Sequence, residues 1–88
     1  MKTAQKKALL ARLARIEGQV RGVRRMIEED AECEAVAQQL AASRKALDRA
    51  FYEMMACAIE HEVDPGQQLP AESKEKLSDL ARVLAKYG

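Results

Sequence analysis

The segment that decides the fold is Cys33-Glu-Ala-Val36-Ala-Gln-Gln-Leu40-Ala-Ala-Ser43-Arg-Lys-Ala-Leu47-Asp-Arg-Ala50-Phe-Tyr-Glu-Met54-Met-Ala-Cys57-Ala-Ile-Glu-His61. It contains neither Pro nor Gly. Cys33, Val36, Leu40, Ser43, Leu47, Ala50, Met54, Cys57 and His61 recur in steps of three and four, the period of one long helix that packs along its length. A second stripe, Phe51, Met55, Ala58 and Glu62, runs beside the first and widens the face to be covered. Both cysteines and the only histidine lie on the seam, at its two ends.

A continuous helix rises about 1.5 Å per residue, so Cys33 and Cys57 stand roughly 36 Å apart. Bridged cysteines need Cα atoms within about 7 Å. The two thiols therefore cannot form a disulfide, or bind one ion together, within one chain. A second copy lying antiparallel brings Cys33 against Cys57 and His61, with the crossing between Arg44 and Leu47. Two-fold symmetry then makes two identical end sites. The expectation is an antiparallel homodimer.

Outside this segment the chain is short and uneven in charge. Eighty-eight residues make one domain at most, covering 1–88, and chains of that size often need a metal, disulfides or oligomerisation. No Trp, one Phe and two Tyr, with apolar content that is largely Ala and Leu, point to an all-α chain whose faces want partners. Two cysteines without a leader-like segment suggest free thiols in a reducing cytoplasm. No apolar run reaches the length of a membrane span.

The net charge of +1 conceals an asymmetry. Residues 1–27 hold eight Lys or Arg against the single acid Glu17, a local charge of +7. Leu9, Leu13, Ile16, Val20, Val23 and Ile27 form an apolar stripe through them, so the first helix is amphipathic and basic. A one-signed face of this kind neutralises phosphates. Arg44, Lys45 and Arg49 extend it at the middle of the long helix. Gly18 and Gly22, four apart on one face, suit either close approach of another backbone or a tolerated kink. Acids Glu28, Glu29, Asp30, Glu32 and Glu34 mark a turn and favour a new helix beginning near Ala31–Cys33. Asp64-Pro65-Gly66 ends the long helix. Leu77, Leu80, Leu84 and Tyr87 predict a short third helix from about Ala71.

Cys57 and His61, i and i+4, project from one helix face as a bidentate site needs. Thiolate and imidazole together suit Cu(I), Ni(II), Co(II) or Zn(II). The structural alternative makes the cysteines small buried hydrophobes and His61 a C-terminal helix cation. Met26, Met54 and Met55 read as core. One His, no paired buried acids and no Gly-rich phosphate loop argue against an enzyme.

The run Arg12-Leu-Ala-Arg15-Ile-Glu-Gly18-Gln19-Val-Arg-Gly22-Val-Arg-Arg-Met-Ile-Glu28, followed by Glu32-Cys33, Val36 and Gln39-Leu40, resembles the CsoR/RcnR/FrmR family of bacterial repressors. The likeness extends over nearly the whole chain. It implies three helices per protomer with a long central one, an antiparallel dimer pairing into a disc-shaped homotetramer, and operator double-stranded DNA bound by basic flat faces. It also implies DNA contacts by Arg12, Arg15, Gln19 and Arg49, and a sensing role for Cys33. In the family's metal sensors the partner ligands follow that cysteine by 25 and 29 residues. Those positions are Ala58 and Glu62 here, while the available donors, Cys57 and His61, are each one residue earlier. The expectation is a cytoplasmic repressor released from DNA when a metal ion or a thiol-reactive species occupies Cys33 with Cys57 and His61 of the partner. Persulfide or aldehyde chemistry at Cys33 without metal is the alternative inducer. A helical assembly module binding an acidic protein is the alternative of another class.

Overall fold

The computed structural model describes residues 1–63 and 69–88. Three helices occupy nearly all of them: α1 (Thr3–Glu28), α2 (Cys33–Glu62) and α3 (Ala71–Tyr87). The Asp64-Pro65-Gly66 breaker lies outside the described residues, but α2 stops two residues before it. Pro70 supplies the extended N-cap of α3, which leaves the helix free to start at Ala71.

The sharp feature is the turn between α1 and α2. Asp30 adopts φ 58°, the left-handed conformation. The Ala31 N–H donates to the Met26 carbonyl at 2.9 Å and the Asp30 N–H to the Ile27 carbonyl at 3.1 Å. This pair of bonds is a Schellman motif, which satisfies the last carbonyls of α1 while reversing the chain. Asp is among the few residues that tolerate the left-handed region. The reversal is complete within a few residues, so α2 opens on Cys33 and runs back along α1.

Two side-chain pairs fix the register of this hairpin. Gln5 Nε2 donates to Glu60 Oε2 at 2.9 Å. Arg12 Nε donates to Glu53 Oε2 at 2.9 Å, with Nη2 2.8 Å from Oε1. Moving seven residues along α1 moves the partner seven residues back along α2, as antiparallel helices require. The same register carries Ile16 and Val23 opposite Ala50 and Ser43, and all four are buried. Small residues on α2 thus admit branched ones from α1, with the Ser43 hydroxyl satisfied by the Gln39 carbonyl at 3.0 Å. Met55 completes the buried set on the second stripe, and α3 packs on α2 and not on α1. Gly18 and Gly22 lie within an unbroken α1, and a Cβ at either would meet no other helix within 4 Å among the described residues, so neither serves a close approach to them.

Each apolar stripe is divided. On α1, Ile16 and Val23 point inward, while Leu13, Val20 and Ile27 remain open to solvent. On α2, Ser43 and Ala50 are covered, whereas Leu40, Leu47 and Met54 are 53%, 49% and 44% exposed. The open residues recur every seven positions on both helices, the period of a face made for further helix packing. Hence the long seam is packed along only half its width by its own chain. The described residues form a flat slab of 57 × 27 × 15 Å.

Candidate functional site

The structure brings Cys57 and His61 together and keeps Cys33 away from them. Cys33 is exposed, the first residue of α2, and sits in a shallow groove with Ile27, Ala31, Val36 and Leu40. Cys57 is half-buried in the penultimate turns of the same helix. It lines one groove with Met54, Ala58, His61, Glu62 and Lys76, and a second with Met1, Gln5, Glu60 and His61. Ala58 and Glu62, the positions where the family resemblance implies ligands, therefore open onto the same groove as Cys57 and His61. Both thiols are free.

Helix geometry explains this arrangement. Positions 57 and 61 are one turn apart and share a face. The Gln5 amide, held by Glu60 at one end, also accepts the Lys2 N–H at 3.3 Å and so draws the start of α1 over Cys57. Among the described residues no three of His, Cys, Asp and Glu converge within the chain. A thiolate and an imidazole fit a soft or borderline transition metal, but one chain supplies one thiol and one imidazole at one end and one thiol at the other.

Between the two ends lies the open apolar surface. Leu13, Val20 and Leu47 line a central groove whose rim carries Arg21 and Arg24. The groove beside Cys33 continues the apolar series through Leu40 and Ile27, and the groove beside Cys57 continues it through Met54.

The four residues expected at DNA are not equivalent. Arg15 and Gln19 are exposed on α1, and the Arg49 side chain is 71% exposed on α2. The Arg12 side chain is only 22% exposed and is committed to Glu53 in a two-point fork. Arg49 Nε is 3.7 Å from the same Glu53 carboxylate. Lys6, Lys7, Arg15, Arg21, Arg24 and Arg25 are exposed and make no ion pair among the described residues, so most of the charge of α1 faces solvent uncompensated. Glu53 went unmarked in the sequence reading. The turn at Asp30 was the available signal, because it fixes the hairpin register and thereby sets Arg12 opposite Glu53.

Residues 5–86 match the family described as metal-sensitive transcriptional repressor. A transcriptional repressor RcnR homolog of Escherichia coli is 39% identical over 83 residues, covering 93% of this chain and 90% of that protein. An uncharacterised protein of the bioA 5′ region of Serratia marcescens is 32% identical over 81 residues, 92% of this chain and 89% of that one. Among solved structures, a variant of the formaldehyde-responsive regulator FrmR from Salmonella enterica serovar Typhimurium superposes with a TM-score of 0.84. It is 29% identical, with 99% of this chain and 98% of that one covered. The nickel-responsive transcriptional regulator InrS gives a TM-score of 0.74 at 30% identity, covering 93% of this chain and 91% of that one. These neighbours are regulators rather than enzymes, and among the described residues no helix is long and apolar enough to cross a membrane. With the match spanning nearly its full length, the chain belongs to the metal-sensitive transcriptional repressor family.

Proposed function

We propose that this repressor senses its inducer at a site shared between two antiparallel copies, built from Cys33 of one and Cys57 and His61 of the other. One observation carries the reading: an open apolar surface joins Cys33 at one end of the hairpin to Cys57 and His61 at the opposite end. A second copy laid head to tail covers that surface and completes both ends at once. Each Leu or Met so buried contributes roughly 1.5–3 kcal/mol, against the cost of ordering two chains. Pairing of such dimers gives the expected tetramer. The exposed basic residues, Arg15 and Arg49 foremost, face operator DNA in the cytoplasm together with the amide of Gln19.

The inducer favoured by this donor set is a transition metal ion: Cu(I), Ni(II), Co(II) or Zn(II). Two thiolates and an imidazole hold such ions, and the residues' part is to fix how α1 and α2 of the two copies sit. Inducer and DNA then oppose each other by linkage, each weakening the other's binding by the same factor. The similarity to a nickel-responsive regulator supports this class.

Exposure of Cys33, with Ala58 and Glu62 at the usual ligand positions, favours a second reading in which Cys33 alone reacts. Addition of its S–H across formaldehyde moves the thiol proton to the carbonyl oxygen and forms a hydroxymethyl thioether. Transfer of a sulfane sulfur from a small persulfide to the thiolate releases the carrier as a thiol. The high structural similarity to a formaldehyde-responsive regulator supports it.

Native mass spectrometry after exposure in turn to Cu(I), Ni(II), Zn(II), formaldehyde and a small persulfide separates the readings. A metal adduct that requires Cys33, Cys57 and His61 and lowers affinity for promoter DNA upholds the first. An organic or sulfur adduct at Cys33, unaffected by His61→Ala, upholds the second. Adducts that survive Cys33→Ala overturn both.

A further inference from the structure

Glu53 is the carboxylate that stands among the basic residues of the α1–α2 face. Its two oxygens take the Nε and Nη2 of Arg12 at 2.9 and 2.8 Å, across a sequence distance of 41 residues. Its Oε1 is also 3.7 Å from Arg49 Nε. Among the described residues no other ion pair connects two helices; the remaining one, Arg82 with Asp79, lies within α3. Bidentate guanidinium–carboxylate pairs match the fork geometry that guanidinium also uses for phosphate, so the two acceptors compete for the same donors. Arg12 is accordingly occupied and mostly covered, while Arg49 beside it is open.

We propose that Glu53 is a resident competitor for DNA phosphate, holding Arg12 in the α1–α2 seam and keeping the affinity of the repressor for DNA below what its arginines alone would give. The inference rests on the reading of Arg15, Gln19 and Arg49 as the DNA face. A phosphate reaching for Arg12 must first displace Glu53 from a two-point bond. The repressor thus carries one arginine in reserve, and the chain can be released from DNA without having to break that contact.

The test uses the full-length protein and a fluorescein-labelled 30-base-pair duplex of mixed sequence. Phosphate contacts do not depend on base sequence, so no operator is needed. Anisotropy is read between about 50 and 200 mM KCl, the range in which phosphate contacts dominate the salt response. Glu53→Gln is expected to bind several-fold more tightly, with the log–log salt slope steeper by about 0.9, the value for one added phosphate contact. Adding Arg12→Ala to Glu53→Gln should remove both gains. Glu75→Gln on α3 removes a distant exposed charge, and it should leave the slope unchanged. A gain in Glu53→Gln that survives loss of Arg12, or that Glu75→Gln reproduces, overturns the proposal, because a general change of charge does not act through Arg12.

Arg12→Ala alone supplies an answer that does not depend on the folding of Glu53→Gln. The competitor account expects little loss of affinity, whereas a tenfold loss with a shallower slope overturns it. Arg15→Ala checks the underlying reading separately. If it leaves affinity unchanged, the DNA face is misassigned. If it weakens binding while Glu53→Gln changes nothing, the face stands and the competitor falls.

Discussion

The two ends of α2 are built to opposite specifications. At its start, Cys33 follows a Schellman turn of a few residues, stands exposed, and among the described residues is joined by no second thiol or imidazole of its own chain. At its finish, Cys57 is half-buried, shares two grooves with His61, and is overlaid by the start of α1 through the Gln5–Glu60 bond. One end presents a thiol and, in the proposed dimer, the other receives it. A complete site inside one chain would need neither asymmetry nor the open apolar strip between the ends.

Complementation gives the sharpest way to break that comparison. Cys33→Ala and the double variant Cys57→Ala/His61→Ala should each lose the shared site entirely. Mixing and refolding the two should restore one site per mixed dimer, because the intact Cys33 of one chain meets the intact pair of the other. Stoichiometry by native mass spectrometry checks this. Recovery of no site in the mixture would show that all three donors act within a chain, against the 30-residue helix that separates them.

A second contrast, between the closed and open halves of the same stripes, calls for two further variants. Leu47 is half-exposed in the chain and lies at the centre of the open strip. Leu47→Glu should leave helicity intact but weaken self-association on the order of 1000-fold, since two-fold symmetry buries the new charge twice at a few kcal/mol each. Sedimentation across a concentration series reads this directly. Ile16 is buried by its own chain, so Ile16→Ala should lower unfolding free energy by about 2–4 kcal/mol. Chemical denaturation should show that loss at every protein concentration, whereas Val20→Ala on the open side should act mainly through association and fade as the protein is diluted.

Much of this was legible in the sequence, for identifiable reasons. The run from Cys33 to His61 has a strict helical period and no breaker, so the length of α2 and the separation of the thiols followed from arithmetic. The acidic turn and the Leu77–Tyr87 spacing located α2 and α3 equally well. The period did not reveal which half of each stripe the chain covers for itself. Leu13 and Ile16, or Leu47 and Ala50, are equivalent to a hydrophobic pattern and differ only once the hairpin register is known. Arg12 was obscured for the same reason. In the sequence it is one of eight basic residues within 1–27, and only the register set by Asp30 puts it opposite Glu53. The proposed sensor residues are legible as chemistry, a thiol at one end and a thiol with imidazole at the other.

The smallest effect concerns the turn that holds the Cys33 end. Asp30 occupies the left-handed C′ position of the Schellman motif, where Gly is preferred for lack of a Cβ. Its carboxylate also faces the negative end of the α1 dipole, which disfavours it, and the positive start of α2, which favours it. Asp30→Gly removes the conformational cost but adds freedom to the unfolded chain. The net expectation is a gain of about 0.5–1 kcal/mol, seen as a rise of a few degrees in thermal midpoint. Asp30→Asn keeps tolerance of the left-handed region and drops the charge, so comparing the two variants separates backbone strain from electrostatics. If Gly lowers the midpoint while Asn leaves it unchanged, strain at Asp30 is not what limits the turn, and the exposure of Cys33 must owe its fixity to the packing of Ala31 and Val36 instead.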